Sequence, residues 1–148
     1  MKKNYLTNSA AETKRIASEM ARQILSCKPK KKAFLIGLVG DLGGGKTTFT
    51  QGLAKGLGVK DKILSPTFVI MKKFKIKHPR FQYFYHFDCY RFLKNKDILD
   101  LDFKKIINNP GNIVAMEWAD KIKNVLPKTT TWINFDFVDN KKRKIMIK

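Results

Sequence analysis

The stretch Gly40-Asp41-Leu42-Gly43-Gly44-Gly45-Lys46-Thr47-Thr48 constrains this chain more than any other. It fits G-x-x-x-x-G-K-[ST], the phosphate-binding P-loop pattern. The apolar run Ala33 to Val39 precedes it and reads as a buried strand, and Thr48 to Ala54 follows it and reads as a helix. Phosphate binding needs several donors converging on a small volume. Glycines let the backbone curl until successive N–H groups point inward, and the following helix adds its positive end. Lys46 would reach the β- and γ-phosphates as a point charge, and the Thr47 hydroxyl would ligate Mg²⁺. A glycine-rich turn that binds nothing would leave the Lys and Thr directly after Gly45 without a purpose.

This arrangement predicts an α/β fold: a single P-loop NTPase-like domain over residues 1–148, with a central, largely parallel sheet, flanking helices and antiparallel additions. A length of 148 residues with 43% hydrophobic content suits one core. No apolar run approaches the roughly 18 residues of a membrane span. The start, Met1 to Thr7, is basic but lacks the apolar stretch of a signal peptide. Cys27 and Cys89 have neither metal nor redox spacing and read as reduced thiols. The expectation is a cytoplasmic protein that does not contact a membrane.

The net charge of +19 has two readings. It suits an RNA- or partner-facing surface. It equally suits a lysine-rich background composition, because arginine occurs only at Arg15, Arg22, Arg80, Arg91 and Arg143. Lysines are spread through nearly every segment, and the charge alone does not separate the two.

Along the chain, Lys3 to Leu6 suits an edge strand. Ser9-Ala10-Ala11-Glu12 has capping-box form and opens a helix whose apolar face is Ile16, Met20 and Ile24. Lys28 to Lys32 is a basic loop. Gly56-Leu57-Gly58 closes the P-loop helix. The β-prone runs Phe68–Phe74 and Phe81–Tyr90 suggest a hairpin, and Asp97 to Ile107 suggests a helix. Asn108 to Gly111 is a turn, Asn112 to Met116 a buried strand, and Thr130–Val138 with Lys144–Ile147 two alternating strands.

Three downstream stretches could complete a phosphate site. Ser65-Pro66-Thr67 brings two hydroxyls to a loop that could sense a γ-phosphate or metal, or simply enter a strand. Period-2 alternation puts His86, Asp88 and Tyr90 on one face, opposite Phe87 and Cys89. Asp88 could orient a water and Arg91 neutralise phosphate charge, or the two could form a strand-end ion pair. Glu117 ends the strand from Asn112, where a metal-coordinating carboxylate belongs in such a fold. Trp118 could cover a base or pack on the core.

Together, G-D-L-G-G-G-K-T-T-F, S-P-T-F, H-F-D-C-Y-R-F and M-E-W-A-D, in that order, resemble the TsaE (YjeE) family over roughly Thr13 to Pro127. The resemblance implies a small bacterial P-loop ATPase needed for threonylcarbamoyladenosine beside the anticodon of tRNAs reading codons that begin with A. It implies ATP and Mg²⁺ as cofactors and the TsaB–TsaD pair as partners. By the same resemblance TsaD would perform the transfer, ATP hydrolysis would reset the complex, and tRNA would be met through the complex. Carried over by residue, Gly43, Gly44, Gly45, Lys46, Thr47 and Thr48 hold the phosphates, with Lys46 and Asp88 catalytic. Thr47 and Glu117 are the metal ligands, Thr13 approaches the base, and Trp118 stands beside the metal ligand. Ser65-Pro66-Thr67 resembles a switch-like loop, and Arg143 a nucleotide contact. Two segments depart from the family pattern: Lys94 to Asp102 has no Gly, and Met71-Lys72-Lys73 stands where an acidic residue is common.

Two other functions fit a basic P-loop chain. A small-molecule or nucleoside kinase would need a lid and an acceptor pocket, which no segment clearly supplies. A basic RNA-binding module would bind RNA tightly and salt-sensitively without partners. The expectation here is weak tRNA binding by the isolated chain, indifferent to sequence.

Overall fold

A computed structural model describes residues 2–41, 43, 45–63, 70–92 and 95–148. Seven strands form one sheet in the order β1-β7-β6-β2-β5-β4-β3. They are β1 (Lys3–Thr7), β2 (Phe34–Gly40), β3 (Met71–Lys75), β4 (Tyr83–Asp88), β5 (Asn112–Glu117), β6 (Thr131–Phe137) and β7 (Arg143–Ile147). The four middle strands β6, β2, β5 and β4 run parallel. Antiparallel β3 closes one edge, and β7 and β1 close the other. This is the expected parallel centre with antiparallel additions.

Buried on both faces, the central strands read as near-continuous apolar runs, as parallel strands do. All six residues of β5 are buried. Their period of two still sorts them into two cores. Ile36, Leu38, Ile113 and Ala115 face a core with Phe84, Ile133 and Phe135, covered by α1 (Ala10–Ser26) and α2 (Lys46–Gly56). Leu35, Val114 and Met116 face a second core with Phe87, Phe103, Ile107 and Ile122. That face is covered by α3 (Asn95–Leu99), α4 (Phe103–Ile107) and a 3₁₀ helix at Ala119–Val125.

Helix α1 opens as its sequence predicts. Glu12 N donates to Ser9 Oγ at 3.1 Å, while Glu12 Oε2 accepts from Asn8 N at 2.7 Å. It packs on α2 with almost no gap, because a Cβ on Gly52 would lie 2.5 Å from both Lys14 Cα and Lys14 O.

Two expectations are revised. The single helix over 97–107 is two short helices, broken at Asp102 in the left-handed region with φ 58°. Ile98 and the trio Phe103, Ile106 and Ile107 are all buried in the same core. A straight helix would carry Ile98 and Phe103 to different sides, and the break returns both to the sheet. Strand β4 stops at Asp88, so Tyr90 lies in the following turn and is exposed instead of sharing the strand face. The β3–β4 hairpin forms in the register Met71↔Phe87, with Leu64 to Val69 outside the described residues. No described helix is long and apolar enough to cross a membrane.

Candidate phosphate site

Strand β2 delivers the loop at its C-terminal end, and α2 departs at Lys46, two residues earlier than the sequence suggests. Gly45 caps α2 at φ 104°, a left-handed conformation open to glycine at little cost. It points the first turn of α2 back across the strand ends. Lys46 is only 5% exposed. Its Nζ donates to Gly40 O at 2.5 Å and Asp41 O at 2.9 Å, 4.1 Å from the Trp118 ring centroid. Burial lowers the pKa of this ammonium, opposed by the charges of Glu117 and Asp41. It rests on carbonyls that a phosphate would outcompete for a cation.

The parallel register brings the downstream residues to the same end. Strands β2, β5 and β4 are adjacent, with Leu38 opposite Glu117 and Glu117 opposite Asp88. Thr47 Oγ1 donates to Glu117 Oε1 at 2.8 Å, across 70 residues of sequence. The other carboxylate oxygen, Oε2, lies 2.5 Å from His86 Nε2. Both groups of this pair are almost fully buried, Glu117 3% and His86 4% exposed. His86 therefore holds the Glu117 carboxylate in place. The alternation that put His86 beside Asp88 had located it, but its pairing depends on β5 lying next to β4.

Asp88 is half-buried, and its Oδ1 accepts from Tyr90 N at 3.0 Å. Desolvation raises its pKa and the Glu117 charge adds to this, while the Tyr90 N–H, His86 and Lys46 oppose it. Trp118 follows Glu117 with φ 57°, a conformation costing about 1–2 kcal/mol for a non-glycine residue. That bend sets its ring under Lys46 and 5.0 Å from Tyr90, whose carbonyl accepts from Lys121 Nζ.

Arg143, at the start of β7, donates from Nε to Gly43 O at 3.0 Å and so braces the loop. Thr13 is buried, sharing a 2.8 Å hydrogen bond with Thr7 Oγ1, which also reaches Arg143 O at 3.4 Å. Thr48 is half-buried in the first turn of α2. Gly44 and Ser65-Pro66-Thr67 lie outside the described residues. Lys46, Thr47, Asp88, Glu117 and Trp118 thus converge at one end of the sheet, and Thr13 is linked to the loop through Thr7 and Arg143.

The donor set suits a hard cation. Among the described residues no group of three or more His, Cys, Asp and Glu could hold a metal by itself. One hydroxyl and one carboxylate oxygen meet at 2.8 Å. Mg²⁺ is commonly held this way, by one or two protein oxygens with phosphates and waters completing the shell.

A buried strand, a glycine-rich loop opening a helix with Lys and Thr, and a carboxylate ending the neighbouring parallel strand define a P-loop nucleotide-binding protein. The comparisons narrow the class. The family model described as "Threonylcarbamoyl adenosine biosynthesis protein TsaE" matches residues 7–145. The TsaE protein of Rickettsia typhi is 36% identical over 97% of this chain and 93% of its own length. That of Bacillus subtilis is 36% identical over 84% of this chain and 71% of its own. The crystal structure of YdiB from Bacillus subtilis superposes with a TM-score of 0.73 at 31% identity, covering 99% of this chain and 84% of that one. The chain belongs to the TsaE family, whose role is in tRNA threonylcarbamoyladenosine biosynthesis.

Proposed function

We propose that this chain is a single-domain, cytoplasmic, Mg²⁺-dependent ATPase that acts with TsaB and TsaD to form threonylcarbamoyladenosine on tRNA. The observation that carries this reading is the 2.8 Å contact between Thr47 Oγ1 and Glu117 Oε1, a loop hydroxyl and a strand-end carboxylate converging beside Lys46.

In this reading Gly43, Gly44, Gly45 and Thr48 hold the phosphates through the loop and the helix N-terminus. Lys46 leaves the carbonyls of Gly40 and Asp41 for the phosphate oxygens. Thr47 and Glu117 hold Mg²⁺, which when bound neutralises charge on the phosphates. His86 keeps Glu117 oriented. Asp88, made more basic by its burial, accepts a hydrogen bond from the attacking water and aligns it. Trp118 flanks the site beneath Lys46, and Thr13 lies towards the base. Turnover is slow in the isolated chain and rises with the partners, which complete the positioning.

Hydrolysis is measured for wild type and Glu117→Ala, each with and without TsaB–TsaD. The expected result is a clear rise with partners in wild type only. Equal rates in all four samples would overturn the mechanism.

A further inference from the structure

The end of the sheet opposite the P-loop has its own cleft. Three connections converge there, each entering a parallel strand from its N-terminal side: the loops before β2, β4 and β5. They enclose a cavity of about 240 Å³ lined by Cys27, Lys30, Lys32, Phe34, Arg80 and Phe81, with Pro29 and Pro110 at its sides. Arg80 shapes it, donating to Leu25 O at 3.1 Å and Cys27 O at 2.5 Å at the end of α1. Its guanidinium carbon sits 5.1 Å from the Phe81 ring centroid, and Lys30 Nζ sits 4.3 Å from that of Phe34.

The charge at this end has one sign. Residues 27–33, 76–82 and 108–111 contain Lys28, Lys30, Lys31, Lys32, Lys77 and Arg80, and no Asp or Glu. In contrast, Asp41, Asp88, Glu117 and Asp120 gather around Lys46 at the other end. The fold therefore brings these basic residues to one end of the sheet and four carboxylates to the other. A composition bias adds lysines along the chain, but only the fold brings these three connections around one cavity.

We propose that this cleft is a second anion-binding site, and that it takes the phosphodiester backbone of RNA, with tRNA as the molecule it meets. Several lysines beside the partly exposed Phe34 ring form the pattern that tracks a nucleic-acid backbone while giving a base or sugar an apolar contact. Charge complementarity favours a polyanion, because Lys28, Lys30, Lys32 and Arg80 line the cavity and no carboxylate does. The contact is made to phosphates, so it is indifferent to sequence. Non-specific binding of this kind has a Kd of roughly 10⁻⁴–10⁻⁶ M at physiological salt, so the site guides tRNA and does not select it. This inference does not depend on ATP hydrolysis.

The test uses the full chain and an unmodified tRNA transcript. Fluorescence anisotropy is followed across a salt series for wild type, for Lys28→Glu/Lys30→Glu/Lys32→Glu, and for a control of equal charge, Lys14→Glu/Lys72→Glu/Lys123→Glu. Circular dichroism establishes that each variant folds. The cleft variant should bind at least about tenfold more weakly, and its log–log salt slope should fall by about 2–3, at roughly 0.7–0.9 for each phosphate left without its lysine. The control should stay close to wild type. Cys27 supplies a local readout, because it lines the cleft while Cys89 is buried. Bound tRNA should slow alkylation of Cys27 by N-ethylmaleimide, and ATP should not. Equal losses in both variants, or unchanged Cys27 alkylation at saturating tRNA, would overturn the assignment. So would a cleft variant that keeps tRNA affinity but loses binding to TsaB–TsaD, since the cleft would then serve a protein.

Discussion

Gly52→Ala isolates the contact that sets where α2, and with it the P-loop, sits on the molecule. In an exposed helix this change stabilises by about 1 kcal/mol through propensity. Here the new Cβ would stand 2.5 Å from Lys14 Cα and O, both backbone atoms of α1. Reaching the 3.4 Å of ordinary contact requires the two helices to part by about 0.9 Å. Overpacking of this kind costs about 1–3 kcal/mol. The parting also stretches the 2.8 Å hydrogen bond from Ser18 Oγ to Gly52 O, for about 1 kcal/mol more. Set against the propensity gain, the net loss is about 2 kcal/mol. For a chain of this length that lowers Tm by roughly 4–8 °C. Because Lys46 and Thr47 form the first turn of α2, nucleotide affinity should fall with it. Thermal melts followed by circular dichroism, alongside Gly58→Ala, make the assay. Gly58 has φ 81° and nothing within 4 Å of a would-be Cβ, so its substitution carries only the conformational cost of about 1–2 kcal/mol and no steric one. A Gly52→Ala protein that melts at or above wild type would refute the close-packing argument.

Three further outcomes follow from the site and its surroundings. Burial raises the Asp88 pKa in the folded state, so the native chain binds more protons than the unfolded one between the unfolded and folded values. Stability therefore falls as pH rises through that window, and Asp88→Asn should raise Tm near neutral pH while lowering hydrolysis; a lower Tm without nucleotide or Mg²⁺ would contradict it. His86→Phe leaves Glu117 Oε2 buried without its 2.5 Å partner and should cost about 1–3 kcal/mol in denaturant melts. His86→Gln, which restores a donor, should recover part of that loss, and equal losses would show that Glu117 does not depend on the hydrogen bond. Burial also raises the Cys89 pKa, keeping the thiol neutral, so native protein should show one reactive thiol, Cys27, from pH 6 to about pH 9. Two thiols reacting at similar rates, read by mass spectrometry, would contradict that burial.

The local chemistry was legible in the order of residues. Gly45-Lys46-Thr47 between an apolar run and a helix needs no tertiary information, because the loop, its strand and its helix are contiguous. The same holds for the Ser9–Glu12 cap and for β5, whose apolar run has the length and turn boundary of a buried strand. The strand-end position of Glu117 marked it as a candidate for the same reason.

Pairings that join distant segments were another matter. That Glu117 is gripped by both Thr47 and His86 follows from β4, β5 and β2 lying side by side in one register, and sequence periodicity carries no record of which strands are neighbours. The helix expected over 97–107 breaks at Asp102 because Ile98 and Phe103 must reach one core, a demand that arises only once the sheet face exists. Arg143 reaches Gly43 across 100 residues for the same kind of reason. Charge is the clearest case. The sequence determined how many lysines the chain carries, and the P-loop pattern determined the chemistry of one site. Tertiary structure alone decided that Asp41, Asp88, Glu117 and Asp120 gather around Lys46 while three loops free of acidic residues meet at the other end. Position along a chain sets identity and local conformation, whereas proximity between distant residues comes from burying apolar strand faces against one another.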